Sequence, residues 1–71
     1  MDGKIEFAVF CIENVALRLH MDAPSVYRAL TEQSQILSSY IIPNYEILHT
    51  QGKDYIVDDI IDVMREDGIR V

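Results

Sequence analysis

The stretch that decides the fold is IEFAVFCIENVALRL, residues 5–19. Its apolar residues recur at the i, i+3, i+4, i+7 spacing that places side chains on one face of an α-helix. This stripe consists of Ile5, Ala8, Val9, Ile12, Val15, Ala16 and Leu19. The spacing predicts a long amphipathic helix over residues 4–20, with the stripe as its main apolar face.

A second set of apolar residues lies away from that stripe. Phe7, Phe10 and Leu17 fall among polar neighbours such as Glu6 and Glu13. A helix that is apolar on two sides is either sandwiched in a core or keeps one face for a partner. Burial beneath another helix is the simpler interpretation. A partner surface is the other, because so short a chain has little protein to cover both sides, and Phe7, Phe10 and Leu17 are then its anchors.

The middle of the chain contains signals for two further helices. Asp22 is a good N-cap and Pro24 is tolerated in a first turn, so a short helix is expected over residues 23–31. Helical spacing continues on both sides of Pro43, which cannot donate a backbone hydrogen bond. We expect one helix over residues 35–49 that is kinked at Pro43. The alternative is a break at Ile42, with Pro43 opening a new turn.

Two glycines bracket the last predicted helix. Gly52 is expected to end the preceding helix with a positive φ, and Gly68 to stop a final helix over residues 55–67. The β-branched run at Tyr55–Val57 leaves a short extended segment open there. The fold class is therefore all-α: a single helical domain, residues 1–71, with three or four short helices.

Size and composition limit the possible functions. A chain of 71 residues buries only about 60% of its unfolded surface, and its single cysteine excludes an internal disulfide. Oligomerisation or a permanent protein partner is the remaining source of stability. The net charge of −6 argues against nucleic acid and anionic membranes as partners. No apolar run approaches the ~20 residues of a membrane span, and the acidic start is unlike a secretory signal, so we expect a cytoplasmic protein.

Three candidate sites each have a structural interpretation. His49, four residues after Tyr45 and next to Thr50, is either an acid–base group or, as we favour, a helix C-terminal cap. Cys11 lies in an apolar helix and is expected to be buried and unreactive. The last helix gathers acids on one face, either as a cation site or, as we favour, as solvated surface that docks a basic partner; they are Asp58, Asp59, Asp62 and Glu66. No catalytic, cofactor-binding or metal-binding residue is predicted, and no cofactor.

Residues 44–60, NYEILHTQGKDYIVDDI, resemble a known family. It comprises short bacterial proteins known only as a domain of unknown function, marked by a Leu-His-Thr-Gln-Gly box and a following Tyr-Ile-Val-x-Asp-Ile box. The resemblance identifies as signature positions Leu48, His49, Thr50, Gln51, Gly52, Tyr55 and Asp58. Members are often encoded beside proteins similar to an ADP-ribosyltransferase-like family, which implies an accessory, antitoxin-like role.

These observations together predict a non-enzymatic protein-binding module. Its partner-binding residues would be Phe7, Phe10, Leu17, Asp58, Asp62 and Glu66, with the acids steering a basic surface. A self-assembling homo-oligomer is the first alternative. A small-ligand or enzyme site around His49 is the less favoured one.

Overall fold

The computed structural model describes residues 3–70 and shows an all-α fold within them. Helix α1 spans Gly3–Leu19, α2 spans Ala23–Thr31, a π-helical turn spans Leu37–Ile41, α3 spans Tyr45–Leu48 and α4 spans Lys53–Glu66. The expected fold class is confirmed, as are the bounds of α2. The segment Tyr55–Val57, for which the sequence also allows a short extended conformation, is helical and lies inside α4.

The segment around Pro43 differs from the expected kinked helix. A turn over residues 42–44 separates the π-helical turn from α3, so the open alternative of a break is closer. Pro43 has no N–H to donate, and the hydrogen-bond ladder widens just before it. The Ile42 N–H binds the Leu37 carbonyl at 3.0 Å, five residues back. The Asn44 side-chain amide adds a bond to the Tyr40 carbonyl at 2.7 Å, which supplements the interrupted ladder.

Helices α1 and α4 end in the same hydrogen-bonded cap. At the end of α1 the Met21 N–H binds the Ala16 carbonyl at 2.9 Å, and His20 has a positive φ of 57°. At the end of α4 the Ile69 N–H binds the Met64 carbonyl at 2.9 Å, and Gly68 has a φ of 83°. This is the Schellman pattern, in which a residue with left-handed backbone turns the chain away from the helix. Gly68 therefore stops the last helix as the sequence predicts.

Gly52 does not have the expected positive φ. Its φ and ψ are −70° and 158°, and it is the N-cap of α4 rather than the end of the preceding helix. Helix α3 is shorter than expected and ends at Leu48, so a turn at residues 49–51 already separates the two helices. Asp22 is at the N-cap position of α2 as predicted, although its backbone carbonyl and not its side chain makes the capping bonds.

One hydrophobic core joins all the helices. Helix α1 packs against both α2 and α4, and α2 packs against the π-helical turn. The largest fully buried side chains come from every part of this arrangement except α3; they are Val15, Val26, Leu30, Ile36, Ile41, Val57, Ile60 and Met64, with Cys11 among the smaller ones. Leu48 supplies the contribution of α3.

The orientation of α1 matches the expectation only in part. Ala8, Val15 and Ala16 of the predicted main stripe are buried, but Phe7 and Cys11 join them in the core, whereas Ile5 and Val9 of the stripe are exposed. The aromatic ring of Phe7 accounts for part of this rotation. It packs edge-on to Tyr45, with ring centroids 5.5 Å apart, and stacks on Phe10 at 6.2 Å. An aromatic side chain buries more apolar area than Val9 does, so the side with Phe7 faces the protein.

Candidate interaction surface

The His49 turn is a helix cap in this structure. His49 is exposed and its Nδ1 lies 2.7 Å from the Tyr45 carbonyl oxygen. A carbonyl only accepts, so the ring donates from Nδ1 and shares the Tyr45 carbonyl with the backbone N–H of His49, which binds it at 2.9 Å. The ring also stacks on Tyr45, with centroids 4.4 Å apart and planes 13° apart. The predicted stacking and capping are confirmed, and the ring's Nδ1 is occupied by a structural bond.

The signature residues around His49 have structural partners of their own. Leu48 is buried in the core. Thr50 donates its hydroxyl to the Ile47 carbonyl at 2.8 Å, and the Gln51 N–H binds the Leu48 carbonyl at 3.0 Å. The Gly52 carbonyl accepts the first helical bond of α4, from Ile56. These contacts account for the box as the connection between α3 and α4.

The acidic face of α4 is partly neutralised from within the molecule. Arg18 of α1 donates to the carboxylates of Asp58 and Asp54, with Nη2 3.1 Å from the Asp54 oxygen. The hydrogen bond to Asp58 is the main reason that the pKa of Arg18 is raised. Asp62 lines a groove with Arg18 and Arg65, but no ion pair joins Arg65 to Asp62 in residues 3–70. Glu66 is exposed on the same helix.

Asp59 is bound rather than solvated. The hydroxyl of Tyr40, in the π-helical turn, donates to the Asp59 carboxylate at 2.5 Å. That hydrogen bond, followed by burial, raises the pKa of Tyr40 to about 12. The polar side of α4 thus anchors two other segments, α1 through Arg18 and the π-helical turn through Tyr40.

Cys11 is fully buried, as predicted. Burial raises the pKa of its thiol to about 12, so the group is protonated at neutral pH. A nucleophilic cysteine requires a thiolate. The structure therefore gives Cys11 a packing role.

The predicted apolar anchors do not form one surface. Phe7 is only 7% exposed and lies in the core, so a partner cannot reach it in the folded chain. Phe10 is partly buried against the same core. Leu17 is 74% exposed. Of the three residues, only Leu17 presents most of its side chain to a partner.

A different apolar surface lies between α1 and α2. Val9 and Tyr27 are 49% and 50% exposed and flank an open groove of about 520 Å³. We call this the α1–α2 groove; its lining residues are Val9, Ile12, Glu13, Ala23, Pro24, Tyr27, Arg28 and Glu32. Ile5 lies one turn before Val9 on the same side of α1 and is also exposed. Exposed apolar side chains gathered in this way are typical of interaction sites.

The charged groups of the α1–α2 groove are free to meet a partner. Two acids and one base line it, which gives the groove a net negative charge. Within residues 3–70 the ion pairs involve Arg18, so neither Glu13 nor Glu32 is paired with a cation there. Arg28 contacts the Ser25 hydroxyl at 3.4 Å and forms no ion pair in that range.

Sequence reasoning missed this groove because it assigned Val9 and Ile12 to the core. One signal in the sequence pointed the other way. Phe7, Cys11 and Val15 follow each other at i, i+4, i+8 and include the residue types most often buried. Placing that row in the core leaves Val9 on the outside.

Two other kinds of site are not found in the described part of the chain. No group of three or more His, Cys, Asp or Glu side chains in residues 3–70 is placed to hold a metal ion. Over the same residues, none of the helices combines the length and hydrophobicity needed to cross a membrane.

The fold and this surface define a small all-α domain with an uncovered apolar groove. The family model of DUF3791, described as a protein of unknown function, matches residues 6–67. The chain therefore belongs to the DUF3791 family, which confirms the resemblance to a short domain of unknown function. No curated protein and no solved structure matches the chain significantly.

Proposed function

We propose that this protein is a non-enzymatic protein-binding module that holds its partner at the α1–α2 groove. The observation that carries the proposal is the pairing of Val9 and Tyr27, half-exposed apolar side chains from two helices that line one groove. Large, half-exposed residues of this kind, aromatic ones above all, are typical anchors of protein interfaces.

The chemistry of the remaining candidate residues favours binding over catalysis. The His49 ring donates to a helix-terminal carbonyl, and the Cys11 thiol is buried with a raised pKa. His49 lines neither the α1–α2 groove, which contains Val9, nor the groove beside Arg18, which contains Asp62. An enzyme or small-ligand site around His49 is accordingly the weaker proposal.

The module would act as an accessory protein in the bacterial cytoplasm and hold its partner as an antitoxin does. A net charge of −6 favours a partner with a basic surface. Leu17 would extend the contact along α1 beyond the groove. The exposed acids Asp62 and Glu66 lie on α4, which does not line the groove, and would act by long-range attraction of a basic partner. Phe10 and Asp58 would contribute less, since Phe10 is partly buried and Asp58 is bound to Arg18.

The test uses two tyrosines that are matched in exposure. Tyr27 lies in the groove and is 50% exposed, whereas Tyr55 on α4 is 58% exposed and does not line it. The wild-type protein, Tyr27→Glu and Tyr55→Glu would be tagged, expressed at native level and captured for quantitative mass spectrometry. We expect a stoichiometric partner with the wild type and Tyr55→Glu, and its loss with Tyr27→Glu.

Folding is checked first, by circular dichroism and thermal unfolding of both variants. A partner that survives Tyr27→Glu in a folded protein would show that the groove is not the binding site. Light scattering on the purified protein tests the homo-oligomer alternative. A stable dimer that Tyr27→Glu converts to a monomer would replace the proposed partner with a second copy of the chain.

A further inference from the structure

We infer that the α1–α2 groove takes a basic amphipathic helix of the partner protein. The inference rests on the proposed function, because it names the class of partner for the same groove. Three observations support it: the shape between the two helices, the spacing of their exposed apolar residues, and the charge at the rim.

The shape of the groove favours a helix. Residues 20–22 form a short connection between α1 and α2, which pack together as a helical hairpin. An apolar groove of this kind is one of the recurring sites in which an amphipathic helix docks. The described residues contain no strand, so residues 3–70 offer no sheet edge to which an extended peptide would add.

The molecule already contains a helix docked in this manner. Helix α4 lays an apolar stripe with Ile56 and Ile60 against α1. Its acids Asp54 and Asp58 then bind Arg18 beside that stripe. Helix α1 therefore already binds one helix, α4, through an apolar contact that has ion pairs at its edge.

The α1–α2 groove offers the same two elements with the charges reversed. Val9 and Ile12 on α1 lie three residues apart, and Ala23 and Tyr27 on α2 lie four apart, which matches a helical stripe at i, i+3 or i+4, and i+7. The groove carries the carboxylates of Glu13 and Glu32. In the contact between α1 and α4, the corresponding charge on α1 is the cation of Arg18. The two acids outnumber the single cation of Arg28, so the partner helix requires lysine or arginine beside its apolar stripe.

Synthetic peptides of about 18 residues, long enough to form a helix, test the inference directly. The first peptide has a leucine stripe at helical spacing and lysines elsewhere. The second replaces the lysines with glutamates, and the third scrambles the first so that no stripe remains. Binding to the purified protein is measured by fluorescence anisotropy.

We expect the basic striped peptide to bind at least about tenfold more tightly than the acidic and scrambled ones, which corresponds to about 1.4 kcal/mol. Tyr27→Glu should weaken it by at least about tenfold, whereas Tyr55→Glu should leave it unchanged. The double variant Glu13→Lys with Glu32→Lys should weaken the basic peptide and strengthen the acidic one.

Equal binding of the striped and scrambled basic peptides would overturn the inference, since it would show attraction to net charge alone. Binding that Tyr27→Glu leaves intact would overturn it as well. Failure of the inference is separable from failure of the proposed function. A partner captured in a Tyr27-dependent way, with no binding of the basic peptide, would leave the proposed function standing and assign the groove to another class of partner.

Discussion

Helices α1 and α4 pack against each other, yet they differ in how much their own sequences determine. On α4 the buried residues, including Ile56, Ile60 and Met64, recur at helical spacing along one side, and the opposite side is charged. Helix α1 is apolar on two sides, and its buried side includes Ala8, Val15 and Ala16 of the predicted stripe but is rotated toward Phe7 and Cys11. A one-sided helix has a single way to face a core, whereas a two-sided helix is oriented by its neighbours.

The apolar side of α1 that is not buried in the core contributes to the α1–α2 groove. Ile5 and Val9 remain exposed, and Val9 lines the groove together with Tyr27 of α2. Helix α4 buries its apolar side in the core, and three of its acids, Asp54, Asp58 and Asp59, bind Arg18 and Tyr40. The proposed function therefore assigns binding to α1 and α2, whereas the contacts of α4 with α1 and the π-helical turn stabilise the domain.

The largest effect expected from this contrast is the loss of the Phe7 ring. Phe7→Ala removes a buried aromatic that packs on Phe10 and Tyr45, and we expect the free energy of unfolding to fall by about 3–5 kcal/mol. The core of a domain this small supplies about 3–5 kcal/mol of net stability, so the variant should be largely unfolded at room temperature. Urea unfolding followed by circular dichroism measures the change.

The matched control is Leu17→Ala on the same helix. Leu17 is 74% exposed, and a change within about 0.5 kcal/mol is expected there. Equal stability of Phe7→Ala and Leu17→Ala would show that α1 is oriented as its periodicity predicts, with Phe7 outside.

These differences mark how far the sequence predicts the fold. The all-α class, α2 and α4 follow from local signals, namely apolar spacing together with Pro24 and Gly68 at helix ends. The orientation of α1 does not follow, because its two apolar sides are nearly equivalent until the partners of Phe7 are known. The break at residues 42–44 does not follow either, because Pro43 is compatible both with a kinked helix and with a new turn.

The candidate site was predictable only in part. The sequence predicts a second apolar side on α1, but the groove requires Val9 and Tyr27 to meet across two helices, which is a tertiary fact. The cap at His49 was predictable because its partner, the Tyr45 carbonyl, is four residues away. The bonds of Arg18 to Asp54 and Asp58 join residues that are 36 and 40 positions apart, so no local sequence pattern indicates them.

The next largest effect concerns the cap at the end of α4. Gly68 has a φ of 83°, where a side chain is strained, and we expect Gly68→Ala to lower the free energy of unfolding by about 1 kcal/mol. Gly52→Ala is the control, because Gly52 has a φ of −70° and open space around its missing Cβ. Thermal unfolding of both variants checks the difference. A larger loss at Gly52 than at Gly68 would contradict the placement of the positive φ.

The matching cap of α1 should respond in the opposite direction. His20 has a left-handed backbone conformation, which costs a residue with a side chain about 1–2 kcal/mol. Glycine avoids this cost, but it makes the unfolded chain more flexible, which lowers the free energy of unfolding by about 0.4–1 kcal/mol. His20→Gly should therefore raise the free energy of unfolding by about 0.5 kcal/mol, since it gives α1 the cap residue that α4 already has. Urea titration against the wild type measures the gain. A loss of stability would mean that the His20 side chain contributes more than its backbone costs.

The effect that is smallest at neutral pH lies on the polar side of α4, because it appears only at alkaline pH. The hydrogen bond to Asp59 and burial raise the pKa of Tyr40 to about 12, whereas an unfolded tyrosine titrates near about 10. As the pH rises between these values, the unfolded chain loses the proton that the folded chain keeps, so the free energy of unfolding falls with pH. Tyr40→Phe should lose this part of the alkaline slope and Tyr27→Phe should keep it, as measured by urea unfolding at pH values across the window. If Tyr40→Phe keeps the full slope, the π-helical turn is not fastened to α4 through Asp59, and α4 would stabilise the domain through its apolar stripe and Arg18 alone.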